Sequence, residues 1–520
     1  MEEFLAAESL IILLILVATL VAIAVRRVRV PYTVALVLVG LVITVQRPLD
    51  IEVTPELILF LFVPPLIFEA AFHLDFRLLR DSLVPILVLA VPGVLLTTLL
   101  VGGLVALGTP LTFGVAVIFG ALIAATDPVS VISLFRALGV PRRLAVAVEG
   151  ESLFNDGTAI VVFSIALEAA SLGTFDPVAG LFEFVRVAAG GMAVGAALGW
   201  LTAQLIARID DPLIVTSLTT LLAYGAYLVA ERLHISGVLA VVMAGLVSGN
   251  VSMPRVSPTT KFMLFNLWEY LAFLTNSLVF LLIGLDVDLA QLADNLWPTA
   301  VAVAAVLLSR AIVVYGFPWL LRLIRAQHHM PVNWRHTFFG GGLRGAISLA
   351  LALSLPESLA ERKTLESMAF GIVLFSLLVQ GTTIQFLLKR LGLTSRPHHR
   401  IARELQVGRI FASQAGLRQL TELHRQGMLT EELWGGLHDE YLHSQRHLIQ
   451  EMDRLFIAHP ELEREVLLQA RQESLRAERG ALGDALRRGL LSNETYEELK
   501  TELDFRLEAL SLIQKAMRNE

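Results

Sequence analysis

The sequence predicts an all-α polytopic membrane protein. About 13 transmembrane helices are expected, arranged as two inverted six-helix repeats with broken crossing helices and followed by a helical cytosolic tail. Three observations carry this prediction. Of 520 residues, 55% are hydrophobic and only 17% are charged, with a mean hydropathy of +0.68, whereas soluble domains carry about 25% charged residues. The apolar residues are gathered into stretches long enough for a hydrocarbon core of ~30 Å. Two of those stretches are interrupted by helix breakers, Thr126-Asp127-Pro128 and Gly340-Gly341-Gly342-Leu343-Arg344-Gly345.

The stretches lie near residues 5–25, 31–46, 56–73, 83–107, 111–134, 142–170, 180–207, 212–231, 235–249, 263–286, 297–321, 336–355 and 366–390. The first follows Met-Glu-Glu, has no basic flank ahead of it and no small-x-small cleavage site before Arg26-Arg27. It therefore reads as a retained span and not as a signal peptide. Pro64-Pro65 should kink the third stretch, which also holds the isolated acid Glu69. In the fifth, Pro128 removes a donor and disfavours helix at the residue before it. The seventh places Gly191, Gly195 and Gly199 at GxxxGxxxG spacing, which permits close helix approach.

From about Leu391 the chain becomes rich in Arg, Glu, Gln and His, which divides it into a transmembrane domain, 1–391, and a cytoplasmic helical domain, 392–520. The tail has helical apolar periodicity, for example Leu486, Leu490, Tyr496, Leu499 and Leu503. It also has a faint repeat, Arg-Gln-Gly-Met-Leu-Thr (425–430) against Arg-Arg-Gly-Leu-Leu-Ser (487–492), each copy ending a helix at Gly and starting another at a Thr or Ser cap. Two helical hairpins are expected, forming a candidate regulatory domain with an unknown ligand. Seven of the 12 histidines fall here (His398, His399, His424, His438, His443, His447 and His459), and His328, His329 and His336 lie in a loop. Ordinary solvated histidine is the plainer reading and cytosolic pH sensing the other. An unchanged pH profile after deletion of 395–520 would remove the sensing role.

Lys and Arg set the orientation. One set of alternate loops holds Arg26, Arg27, Arg29, Arg77, Arg80, Arg136, Arg142, Arg143, Arg208, Arg255, Lys261, Arg322, Arg325 and Arg335. The other holds little beyond Arg47, Arg232, Arg362 and Lys363. The first set is cytoplasmic, so a multi-pass plasma (inner) membrane protein is expected, with its N-terminus outside and its tail inside. Two six-span halves joined by a seventh span would have opposite orientations, and the two interrupted stretches would then correspond. Broken helices at matching positions in two halves point to a transport site.

The chemistry centres on Gly150-Glu151-Ser152-Leu153-Phe154-Asn155-Asp156-Gly157. Positions i and i+4 share a helix face, so Ser152 stacks with Asp156, and Glu151 with Asn155 on the adjacent face. An ionised carboxylate within hydrocarbon costs at least roughly 2.5–3.5 kcal/mol, which argues that these acids are functional. A dehydrated alkali cation such as Na⁺ needs hard oxygen ligands. Asp156 and Ser152 supply them, Thr126 adds its hydroxyl or a carbonyl freed by the break, and Asp127 could neutralise a half-helix N-terminus and reach the ion. Glu69 is either a cytoplasm-side ligand or simply an interfacial carboxylate.

Two cations, Arg310 and Arg344, need partners because a guanidinium is effectively never deprotonated. Glu151 is the natural partner for Arg344, which leaves Asp156 free; Arg310 pairs with a half-helix C-terminus or an acid. Such a site holds a proton or a cation but not both, which with alternating access yields one-for-one, electroneutral exchange. Li⁺ and K⁺ stand beside Na⁺ as candidate ions. A cation channel or sensor with the tail as effector would require a filter that a single Asn-Asp pair does not resemble. An intramembrane protease lacks matched catalytic groups. No cysteine is present, and the net charge of −6 speaks against a nucleic-acid partner. No cofactor is implied, and the protein reads as a transporter and not an enzyme.

Thr126-Asp127-Pro128, the Gly-Glu-Ser-Leu-Phe-Asn-Asp-Gly run and Gly-Gly-Leu-Arg-Gly-Ala-Ile-Ser (341–348) resemble the monovalent cation:proton antiporter-1 family, which includes the bacterial NhaP-type sodium/proton antiporters. The resemblance covers about residues 5–390. It implies the 13-span inverted-repeat fold, a homodimer and electroneutral sodium/proton exchange serving pH homeostasis. It makes Asp156 the ion- and proton-binding residue, Ser152 and Thr126 ion ligands, and Glu69 a further ligand in some members. Glu151 and Arg344 become a bracing pair. Asn155 matches the electroneutral branch, because the electrogenic branch has a second aspartate there. The tail is not covered.

Overall fold

The structure, a computed structural model, describes residues 2–25, 32–46, 57–127, 129–172, 176–209, 211–253, 256–286, 289–323, 330–394 and 398–519. Pro128, the loop residues Arg26, Arg27, Arg29, Arg47, Arg255 and Arg325, and His328 and His329 lie outside the described residues. All regular structure among the described residues is helical, and the chain forms two compact units, Met1–Ser395 and Arg396–Glu520.

The first unit begins with α1 (Glu2–Val25) and α2 (Tyr32–Gln46). A π-helical turn over Leu57–Phe62 leads into α3 (Val63–His73), whose first turn holds Pro64 and Pro65. There a missing N–H costs nothing, and the helix type changes just ahead of the two prolines. Asp75 caps the short α4 (Phe76–Asp81) by accepting the Arg77 N–H at 3.0 Å. Next, α5 (Leu83–Ala90) and α6 (Pro92–Gly108) form one apolar rod jointed at Val91-Pro92. The fifth stretch is split into α7 (Phe113–Leu122) and α8 (Val129–Leu138).

The unbroken α9 (Arg142–Leu172) comes next. Asp-Pro steps start the following two helices, α10 (Pro177–Ile206) and α11 (Pro212–Arg232). Pro occupies N1, while Asp176 and Asp211 accept the N–H groups of Val178 at 2.9 Å and Leu213 at 2.8 Å. After Ser236, which caps α12 (Gly237–Val251), come α13 (Pro258–Asp286), α14 (Leu289–Asp294) and α15 (Leu296–Leu323). The second split stretch gives α16 (Val332–Gly340) and α17 (Ala346–Leu353). The unit ends with α18 (Arg362–Phe375), a π-helical turn over Ser376–Gln380 and α19 (Gly381–Arg390).

Seven helical segments, such as Leu83–Gly108 and Pro177–Ile206, are long and apolar enough to cross a membrane, and five shorter apolar helices accompany them among the described residues. Large apolar side chains remain exposed along these helices, for example Phe182 and Trp200 on α10, which suits an apolar solvent. The GxxxGxxxG stripe packs α10 on α12: a methyl group at Gly191, Gly195 or Gly199 would run into the carbonyl oxygen of Ser236, Ala240 or Ala244. Gly195→Leu is therefore expected to force the helices apart and to lower stability by about 1–3 kcal/mol or more. Thermal unfolding and monodispersity in detergent check this against Gly225→Ala, whose Cβ would meet open space.

The second unit contains α20 (His398–Arg425), α21 (Glu431–Ala458), α22 (Pro460–Arg487) and α23 (Asn493–Asn519). Gly427 and Gly489, with φ of 75° and 71°, turn the chain after α20 and α22. Thr430 and Ser492 then cap α21 and α23 by accepting the N–H groups of Leu433 at 3.5 Å and Thr495 at 3.2 Å. At the α20–α21 turn the Trp434 ring lies between His424 and His438, at centroid distances of 4.6 and 4.7 Å.

Candidate functional site

The site is built where the two split stretches meet. Helix α7 runs out at Leu122, and residues 125–127 are non-helical; α16 runs out at Gly340, and the chain stays unwound to Gly345. The two unwound segments are joined by the Asp127 N–H donating to the Leu343 carbonyl at 2.8 Å. Each break exposes helix ends inside the protein, positive at N-termini and negative at C-termini, and charged side chains answer each end.

Asp127 serves the N-termini. Its Oδ1 accepts the Val129 N–H at the start of α8 at 2.9 Å. Gly345, at the start of α17, packs so closely on the same carboxylate that any Cβ would overlap it. The two arginines serve the C-termini. Arg344, fully buried, donates from Nη1 to the Ala124 and Ala125 carbonyls at the end of α7, at 2.6 and 2.9 Å. Arg310, reaching from α15, donates to the Phe338 carbonyl at the end of α16 at 3.1 Å.

This arrangement corrects the pairing expected from sequence. Glu151 is bound by Arg310, at 2.8 Å from Nη1 and 3.4 Å from Nη2, and not by Arg344. The reason is local: the break after α7 frees carbonyl oxygens within reach of Arg344, while Glu151 lies on the face of α9 that meets Arg310. Arg310 satisfies both alternatives read for it, an acid and a half-helix C-terminus. Ser376, in the π-helical turn, accepts the Arg344 backbone N–H at 3.1 Å and so fixes the second break.

Asp156 and Ser152 share one face of α9, and both are buried with Thr126, Glu151 and Asn155. Ser152 donates its hydroxyl to the Thr126 carbonyl, freed by the unwinding of α7, and the Thr126 backbone N–H lies close enough to favour the charged Asp156 carboxylate. Asn155 Nδ2 donates to Thr126 Oγ1 at 3.1 Å and leans on Glu151 Oε1 at 3.5 Å, tying the site to the buried ion pair. Asp156 Oδ1 is buried without a hydrogen-bond partner. It borders a cavity of about 70 Å³ also lined by Thr126, Asp127, Ser152 and Ser348. Carboxylate, hydroxyl and carbonyl oxygens thus converge on a space large enough for a small cation or a water or two. Among the described residues no group of three His, Cys, Asp or Glu is placed to hold a metal ion.

Glu69 does not line the cavity, although Leu66 and Ala70 on the same helix do. Its carboxylate faces His73, with Oε1 3.3 Å from Nδ1, and lies within electrostatic reach of Arg136 and Glu149. Sequence reading passed over Glu149, Ser348, Ser376 and Asn276. For Glu149 a signal existed, since residues 149, 152 and 156 follow helical spacing on one face of α9. Ser348 closes the 341–348 motif but was given no role there, and Ser376 is an ordinary serine in an apolar helix that carried no such signal.

With this geometry in hand, the relatives are informative. Residues 12–390 match the family model described as "Sodium/hydrogen exchanger, transmembrane". The chain belongs to the sodium/hydrogen exchanger family. Among curated proteins, the Na⁺/H⁺ antiporter ApNhaP of Aphanothece halophytica is 43% identical over 370 residues, 70% of each chain. The Na⁺/H⁺ antiporter NhaG of Bacillus atrophaeus is 37% identical over 491 residues, 91% of this chain and 92% of that one. Among solved structures, the sodium proton antiporter MjNhaP1 of Methanocaldococcus jannaschii covers 75% of this chain and 99% of its own, with a TM-score of 0.64 and 22% identity. That likeness places the fold. The NhaP-type resemblance read from the motifs holds: this exchanger-family chain is a multi-pass, all-helical membrane transporter and not an enzyme. The NhaG match is longer than the first unit, so it extends into the tail that the family model leaves out.

Proposed function

We propose that this protein is an antiporter that exchanges Na⁺, or Li⁺, for H⁺ by alternating access, electroneutrally, with cation and proton competing for Asp156. The observation that carries the reading is how charge is shared out around the cavity. Arg310 is taken by Glu151 and Phe338, Arg344 by carbonyls, and Asp127 by the start of α8, while Asp156 keeps an unpartnered oxygen and lines the cavity. Arg344 acts on Asp156 only through space, with no ion pair between them while its Nη1 is given to carbonyls, so this buried carboxylate is left to hold either a proton or a cation. Ser152 and Thr126 complete the oxygen set for Na⁺, and Asp127 acts directly or through water. Because Asn155 cannot titrate, one charge is exchanged for one. Glu69, outside the cavity, is assigned to the cytoplasmic approach as a further ligand.

The coarser features agree with the same reading. Helix lies in every one of the about 13 apolar stretches, and the splits fall in the fifth and twelfth, as two inverted six-helix repeats require. The Lys/Arg distribution orients the chain with its N-terminus outside and its tail cytoplasmic, and family resemblance supports a homodimer and a role in pH homeostasis. The test is transport in proteoliposomes with an imposed pH gradient, a pH-sensitive dye and clamped or free voltage. Gradient dissipation by Na⁺ or Li⁺ that is indifferent to voltage supports the proposal. Dissipation by K⁺ alone would assign K⁺/H⁺ exchange to the same site, and current without proton coupling would replace antiport with a channel.

A further inference from the structure

The cavity beside Asp156 has two unlike walls. One carries the oxygens already described, from α9 and the two unwound segments. The other is formed by α3 and α13, where Leu66, Ile67 and Ala70 are apolar and Asn276 is the one polar side chain. Asn276 lies within a long apolar helix read as spanning the membrane, where a carboxamide without partners is costly. Its neighbours are engaged: the Ser277 hydroxyl contacts the Tyr32 hydroxyl at 2.7 Å and donates to the Phe273 carbonyl at 2.5 Å. Asn276 makes no hydrogen bond to any described residue and faces the cavity instead.

We infer that Asn276 is the ligand supplied by the far wall: its Oδ1 coordinates the transported cation and takes part in discriminating among alkali ions. The inference rests on the antiport reading of the same site and deepens it. Three physical points carry it. Asp156 and Ser152 come from α9 and Thr126 from the unwound segment after α7, whereas Asn276 lines the same cavity from the separate helix α13, so a cation seated there gains a ligand from a further element or keeps water. A carboxamide oxygen is a hard, neutral donor of the kind alkali cations accept, and it adds no charge, so one-for-one exchange is preserved. It also does not titrate, so it acts on the cation and leaves the proton alone. Since α13 and the broken crossing are separate elements, the distance between the two walls sets the ion size that both can touch.

The test is transport by the full-length protein in proteoliposomes, with half-saturating Na⁺ and Li⁺ measured for wild type, N276A and N276D across pH. N276A is expected to raise half-saturating Na⁺ severalfold and to change the Na⁺/Li⁺ ratio. Values for both ions within twofold of wild type would overturn the inference. If N276A does not fold, the nearly isosteric N276D decides. A severalfold shift in cation affinity supports a ligand at this position, and unchanged affinity overturns it. A uniform fall in rate for all ions with unchanged half-saturation would make Asn276 merely structural and would also overturn it. A wild type without cation-dependent proton movement would sink the antiport reading itself, which the mutant comparison leaves separate.

Discussion

Asp156→Asn is expected to abolish cation-dependent proton movement while leaving the protein folded, with equal or greater thermal stability. The side chains are nearly isosteric, so packing is retained, and the substitution removes a buried carboxylate whose Oδ1 has no hydrogen-bond partner. Burial without a partner is a cost that the neutral amide largely avoids. The amide cannot ionise, so it neither carries a proton nor balances a cation, and both halves of the exchange fail together. Two readouts separate this from general damage: dye-monitored exchange should fall to the level of empty liposomes, and stabilisation by added Na⁺ against heat, visible in wild type by mass action, should vanish. The proposed competition of proton and cation for one carboxylate predicts that, in wild type, lowering the pH raises half-saturating Na⁺. Residual Na⁺-dependent exchange in the mutant would move the coupling residue elsewhere.

Arg310→Ala should be among the most destabilising single changes in the chain. It strands the Glu151 carboxylate of an ion pair whose side chains are only 8% and 2% exposed, and it uncovers the Phe338 carbonyl at the end of α16. Breaking a buried ion pair from one side costs about 3–5 kcal/mol, whereas replacing both partners with neutral groups is often tolerated. The paired change Glu151→Gln with Arg310→Met is therefore expected to recover most of the lost stability. Recovery of transport should be less complete, because Asn155 leans on Glu151 and holds Thr126. A thermal-unfolding double-mutant cycle checks this. Additive losses in the double mutant would show that the pair contributes little coupling. Arg344→Ala should behave differently, since Arg344 is bonded to backbone carbonyls and not to Glu151; neutralising Glu151 should not rescue it.

The sequence by itself determined which segments are helical and apolar, where two of them break, and which face of α9 carries Ser152 and Asp156. These are local properties: hydropathy over a window, the missing N–H of proline, the freedom of consecutive glycines and the i, i+4 spacing. Only the tertiary structure decided who partners whom. Glu151 and Arg310 are 159 residues apart, and Arg344 lies 220 residues from the Ala124 carbonyl it binds. With four acids (Glu69, Asp127, Glu151 and Asp156) and two arginines to match, sequence suggested Glu151 with Arg344 as an acid–base pair. The half-helix C-terminus that the sequence offered to Arg310 has a counterpart for Arg344, the bare carbonyls after α7, and only the folded chain assigns them. The same limit hid Asn276, one amide in an apolar helix, and placed Glu69 beside His73 and not in the cavity. Helical period fixes which residues share a face, but which face meets the cavity depends on packing between elements far apart in the chain.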